Sequence, residues 1–155
     1  MYSVRGRTAA TAATADHAIC ALWNPHATQR IKVVTFTIVA QGTPGAGLAW
    51  RFRRTSARGT AGSTVTPGIT NDHRNAVAPV SGVLLDLASF GGSQPTLTGN
   101  DLGIDWVLAA VQASGIVFPF PGGIEIPPAA GLALIQVAAT AMPICDVTFD
   151  WLEDY

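Results

Sequence analysis

Lysine is almost missing from this 155-residue chain: of nine basic residues, only Lys32 is not arginine. Charge of either sign is scarce, at 12% of residues, about half the ~25% of an ordinary soluble domain. Basic residues are wholly absent from residues 79–155, and residues 1–78 hold just two acids, Asp16 and Asp72. The halves carry formal charges of +7 and −8, which cancel to −1. Such a chain is not a charged coiled coil. Its 48% hydrophobic content excludes wholesale disorder, which goes with low hydrophobicity and high net charge. Cysteine is also scarce. Cys20 and Cys145 are too few for a disulfide framework, and neither has metal-ligand spacing. Both lie in strand-like runs, where a free thiol acts as a small buried hydrophobe. They would pair only if the first and last strands are neighbours. Met1 to Asp16 has no apolar core of the kind a secretory leader requires. The long uncharged stretches Trp106–Ile124 and Ile126–Cys145 are interrupted by Gln, Gly and Pro, which argues for buried strands over a membrane-spanning helix.

What is present is mostly period two. Cys145, Val147, Phe149 and Trp151 alternate with Asp146, Thr148 and Asp150, as in a strand buried on one face. Leu48, Trp50 and Phe52 alternate with Ala49, Arg51 and Arg53. In Ile31–Ala40, Val34, Phe36, Ile38 and Ala40 oppose Val33, Thr35, Thr37 and Val39. This run is β-branched on both faces, so it reads as a central strand covered on both sides. Weaker strands are Ala18–Trp23, Val83–Leu87, Ile104–Gln112, Gly115–Phe118 and Gly131–Ala139. Turn signals separate them: Asn24-Pro25, Gly42–Gly45, Pro67-Gly68, Gly91–Ser93, Gly99-Asn100, Pro121–Gly123 and Pro127-Pro128. Asp101–Gln112 and the Ala-rich Leu132–Met142 compete as helices, but glycine and proline at the ends of the second favour a strand. Many short strands with regular turns indicate an all-β sandwich or barrel, and the expected fold is an antiparallel β-sandwich, jelly-roll-like. The expected organisation is an extended N-terminal arm over residues 1–16 and one sandwich domain over residues 17–155. Thr55–Val80 reads as an exposed loop system with one or two short strands.

Nothing in the pattern requires catalysis. His17, His26 and His73 are far apart and none has a partner at ligand spacing. Gly99–Asp105 alternates oxygen donors but lacks the closing glutamate of a calcium loop. Ser93 is not in a nucleophile elbow, and no phosphate or dinucleotide loop occurs. No catalytic, metal or cofactor site is expected. The strongest local charge feature is Arg51, Arg53, Arg54 and Arg58. Alternation sends Trp50 and Phe52 to the face opposite Arg51 and Arg53, which weakens a base-stacking, phosphate-binding reading. Arginine suits bidentate carboxylate pairs, and the carboxylates lie in the other half of the chain. Ion pairing, within a subunit or across an interface, is the expected use.

Three segments carry a family likeness: Ala21–Pro25 followed by Arg30–Val34; Gly123–Leu134, with its Pro127-Pro128-Ala129-Ala130-Gly131 turn; and Asp146–Glu153. Together they resemble small β-sandwich virion proteins of tailed bacteriophages, of the kind that decorate capsids or build head and tail appendages. The resemblance covers both ends of the chain and leaves roughly Thr55–Asn100 unmatched. It implies a structural role in the virion, assembled in the host cytoplasm, with self-association, often as trimers, and docking on a major capsid or tail protein. Membrane and nucleic acid are not expected partners. The expected partner-binding residues are Tyr2, Val4, Arg5 and Arg7 of the arm and Arg51, Arg53, Arg54 and Arg58 of the basic strand. The rival readings are a ligand- or glycan-binding module using Trp106, Phe118 or Phe120 at a loop end, and a nucleic-acid-binding packaging component.

Overall fold

A computed structural model describes residues 1–43, 46–67, 79–99, 102, 105–108 and 115–153, with the backbone alone described for 105–108. The strands are β1 (Tyr2–Arg7), β2 (His17–Asn24), β3 (Ile31–Ala40), β4 (Leu48–Ala57), β5 (Ser63–Val65), β6 (Leu84–Leu87), β7 (Thr96–Thr98), β8 (Asp105–Leu108), β9 (Gly115–Ile126), β10 (Ala130–Gln136) and β11 (Cys145–Glu153). Among the described residues there is no helix, hence none long and apolar enough to cross a membrane. Of the helix competitor Leu132–Met142, Leu132–Gln136 is strand and the remainder is non-helical. The part of Asp101–Gln112 outside 105–108 lies mostly beyond the described residues, as do His73 and most of the Gly99–Asp105 loop.

All pairings are antiparallel and form two sheets, one ordered β1-β11-β3-β9 and the other β5-β6-β2-β10-β4-β7, with β8 also on β4. Strands β1 to β4 alternate between the sheets, and β9 to β11 alternate again. β11 therefore lies between β1 and β3, and β10 lies between β2 and β4. This double interleaving is the jelly-roll arrangement. It also explains the charge asymmetry: every central strand of the acidic half is flanked by strands of the basic half.

The sheets close on an aromatic core. Phe36 of β3 meets Phe52 of β4 edge-on, with ring centroids 5.0 Å apart, and lies 4.7 Å from Phe149 of β11. Trp50, Phe52, Phe36, Phe149 and Trp151 are all fully buried. Each large apolar side chain removed from water contributes about 1.5–3 kcal/mol, so one cluster spanning both sheets holds the sandwich shut.

Three local features depart from the sequence reading. First, the N-terminal segment is extended but is built into the sheet. Tyr2 and Val4 face inward and are buried. Tyr2 stacks on Trp151, its cross-strand neighbour. A Cβ on Gly6 would lie 2.7 Å from Leu87 Cδ1, so glycine lets β1 close on the opposite sheet. Beyond β1, Thr8, Thr11 and Asp16 donate backbone hydrogen bonds to Cys145, Met142 and Gln136. The arm reading failed because two apolar residues spaced by Ser and Arg give too weak a core signal alone.

Second, β3 changes phase. Its register on β11 shifts between Val33 and Thr35, a bulge that places Ile31 and Val33 in the core together with Phe36, Ile38 and Ala40. Val34, expected inside, is the bulged residue and is half-buried. Third, Pro121-Gly122-Gly123 is not a turn between strands. β9 runs through it: Pro119 pairs Thr35 and Ile124 pairs Val33, so Phe120–Gly123 bulges out. Gly122 and Gly123 have φ of 81° and 75°, a region open to glycine and costly for other residues. Among the described residues β9 is an edge strand, and Pro119 and Pro121 deprive that edge of donors. Cys20 and Cys145 are both free and buried, as expected of cysteines in strand-like runs, and lie in different sheets.

The two turns that carry the family likeness touch. Buried Asn24 donates through Nδ2 to the carbonyls of Gln29 (2.8 Å) and Pro127 (3.2 Å), and its Oδ1 accepts from the His26 backbone N–H. The Asn-Pro turn and the Pro-Pro turn are thus one hydrogen-bonded corner.

Candidate interaction surface

The outer faces of the two sheets differ. On the second sheet the chain covers itself. Ala18, Ala21, Ala133 and Ile135 point outward and are packed under Ala88 and Phe90, with Ala61 and Leu97 at the margin. Beside them Asp86, 1% exposed, receives two hydrogen bonds from Arg58 (2.8 and 2.5 Å) and one from Thr64 Oγ1 (2.7 Å). The hydrogen bond to Asp86 holds the Arg58 guanidinium above its already high usual pKa.

On the first sheet the register lines up the outward residues in rows. Arg7, Asp146 and Val39 form one; Arg5, Thr148, Thr37 and Val117 the next; Ser3, Asp150, Thr35 and Pro119 a third; Leu152, Lys32 and Glu125 a fourth. No described segment packs over these rows as Phe90 does over the other sheet. Arg5, Val117 and Leu152 are exposed, Val117 to 62%. A shallow groove of about 530 Å³ lies among Ser3, Arg5, Thr37, Asp146, Thr148 and Asp150.

The expected partner-binding residues do not form one patch. Tyr2 and Val4 are core. Arg7 pairs with Asp146 through Nε (2.6 Å) and Nη2 (2.9 Å), and Gln41 Nε2 adds a bond to the same carboxylate. The hydrogen bond from Arg7 holds Asp146 below the usual carboxylate range. Arg51 and Arg53 sit beside Ile135 and Ala133 on the second sheet, with Arg53 Nη2 bonded to the Gly99 carbonyl. Arg54 reaches across the sandwich to the Glu125 carbonyl. Arg58 is spent on Asp86. Of the eight, Arg5 alone is an exposed side chain in the open groove.

The structure therefore realises intramolecular charge pairing. Arg7–Asp146, Arg30–Glu125 (2.6 Å) and Arg58–Asp86 each join a base of the first half to an acid of the second. The residues that sequence reasoning missed are Ser3, Thr37, Thr148, Asp150 and Val117. The polar period of β11 was legible, but its grouping with β1, β3 and β9 requires the register. Of the aromatics expected at a loop-end ligand site, Phe120 is buried and edge-on to Phe52 at 5.4 Å, and Phe118 packs against the core. The Trp106 side chain lies outside the described residues.

The thiols are chemically quiet. Burial, then the nearby Asp146 charge, pushes Cys145 up to about 12, and burial raises Cys20 as well. Among the described residues no group of three or more His, Cys, Asp or Glu is placed to hold a metal ion. His26 Nδ1 accepts the backbone N–H of Gln29 at 2.8 Å, which makes it a turn-stabilising residue.

The fold and this surface define an antiparallel β-sandwich with jelly-roll strand order, one sheet face self-covered and the other open. No family model matches the chain, and no curated protein matches it. Among solved structures it is similar to the globular domain of zebrafish complement 1qA protein. The two are 9% identical, the match covers 99% of this chain and 96% of that one, and the TM-score is 0.27. At that score the likeness carries no functional argument.

Proposed function

We propose that the chain is a non-enzymatic virion structural protein, a capsid decoration or head–tail accessory protein that self-associates and docks on a coat lattice. The observation that carries the self-association is the contrast between the outer faces. Serine, threonine and valine side chains, with Arg5 exposed and Asp150 half-buried among them and the Arg7–Asp146 and Arg30–Glu125 pairs at the margins, occupy a sheet face that nothing described covers. A face that its own subunit leaves uncovered, and that carries charges of both signs, suits contact with a complementary protein surface. The virion setting rests on the sequence resemblance, which also implies a trimer. Closed symmetry is the general expectation for such a domain.

The test is the mass of the isolated protein in solution, measured alongside its copy number in purified particles. An oligomer in solution and a copy number tied to lattice symmetry support the reading. A chain found in no particle overturns it. A second reading, a glycan-binding module, is favoured by the polar groove on the first sheet, whose hydroxyls, carboxylates and arginine would suit a polyhydroxylated ligand. A glycan-array screen with binding lost in Asp150→Ala would favour it over the first.

A further inference from the structure

Arg5 and Asp150 sit on adjacent strands, one register row apart: Arg5 faces Thr148 and Ser3 faces Asp150. One row further along the same two strands, Arg7 and Asp146 form a bidentate pair. Among the described residues Arg5 and Asp150 do not pair with each other or with any other charge. The face thus has an ion pair at each end, Arg7–Asp146 at one and Arg30–Glu125 beside Lys32 at the other, and one unpaired charge of each sign in the groove between them. These are the charges a second copy can satisfy reciprocally.

The surroundings agree. Thr35, Thr37 and Thr148 are half-buried, and Val117 and Leu152 are exposed at two sides of the face. β3 carries β-branched residues on both faces, the pattern of a strand covered on both sides, yet only its inner face is covered by described residues. Basic and acidic groups are mixed within one face instead of lying on opposite sides of the molecule, so a same-face contact matches charges better than a head-to-tail one. Two identical faces meet about a two-fold axis, where a contact made by residue i on residue j is repeated by j on i.

We propose that the outer face of the β1-β11-β3-β9 sheet docks against the same face of a second copy, with Arg5 of each copy on Asp150 of the other and Val117 and the threonines packed between. The inference deepens the self-association reading and rests on it. It replaces the threefold order implied by the resemblance with a two-fold contact.

The experiment uses the full chain and sedimentation equilibrium. Arg5→Asp and Asp150→Arg should each weaken dimerisation by about tenfold or more, because each places like charges together twice per interface. The double variant should recover association to within about threefold of the wild type. Circular dichroism and the melting temperature check that the fold is kept. Val117→Lys is a second variant, at an exposed position, and should also give monomers. A wild type that is trimeric, or monomeric at all concentrations, overturns the two-fold contact. So do single variants that dimerise like the wild type, or a double variant as weak as the singles. A monomeric wild type that still populates particles would sink this contact while leaving the virion reading standing. Absence from particles with an intact Arg5–Asp150 dimer would do the reverse.

Discussion

The two sheets solve the same problem differently. Each has an inner face in one shared aromatic core and an outer face that the backbone cannot hide. On the second sheet the outer face has an alanine and isoleucine patch beside Arg51 and Arg53, and the chain folds the Ala88–Phe90 and Ala61 segments back over that patch. On the first sheet it is serine, threonine and valine interspersed with charges of both signs, and no described segment returns. Small apolar residues demand a cover within the subunit. Threonine can stand in water or in an interface, and so leaves the cover to be supplied from outside.

Substitutions on either face test the difference between them. The largest effect is expected at the self-covered face. Arg58→Ala strands a carboxylate that is 1% exposed, and should cost about 3 kcal/mol. This is the low end for breaking a buried pair, since Arg58 keeps about a third of its side chain exposed and Thr64 still bonds Asp86. Urea unfolding measures it, and a loss below about 1 kcal/mol would remove Asp86 from the account.

Next is Gly6→Val. A side chain there meets Leu87 and Leu85, and overpacking should cost about 1–3 kcal/mol. If β1 were a detachable arm, the substitution would leave the melting temperature unchanged.

Thr37→Val on the open face should change the stability of the isolated subunit by no more than about 0.5 kcal/mol. A loss comparable to that of Arg58→Ala would mean the face is covered within the subunit.

The smallest effect concerns Arg7. Its exposed pair with Asp146 adds little stability, and what it adds has a definite pH dependence. Because the folded carboxyl titrates below its unfolded value of ~3.9, the contribution is present above that pH and is lost as pH falls through the depressed value. NMR titration of Asp146 in Arg7→Ala should show its pKa rising toward the ordinary range. The buried thiols give the opposite sign. Cys145, raised from 9.0 to about 12, favours the fold below the ordinary thiol value, and that contribution fades as pH climbs toward 12.

Much of the fold was legible because burial on one face leaves a period of two. β11 and the buried half of β4 read directly from their alternation, and β3 was bounded correctly. What failed depended on partners distant in sequence. Tyr2 and Val4 look unremarkable until Trp151 is opposite. The bulge at Val34 reverses the phase of β3, and nothing local marks it. Pro121-Gly122-Gly123 carries turn chemistry that the edge strand absorbs as a bulge. The arginine cluster looked like one patch because its members are close in sequence. Alternation and the end of β4 send Arg51 and Arg53 to one face, Arg54 across the sandwich and Arg58 to Asp86. The open face was invisible for the same reason: Ser3, Thr37, Thr148 and Val117 come from four strands joined only by register.

The contrast between the faces is tested most directly by thiol labelling. Cys20 and Cys145 are buried and raised in pKa, so Val117→Cys would introduce the one readily reactive thiol among the described residues. Labelling should be fast at low protein concentration and should slow as concentration rises and copies cover the face. A labelling rate independent of concentration would contradict it.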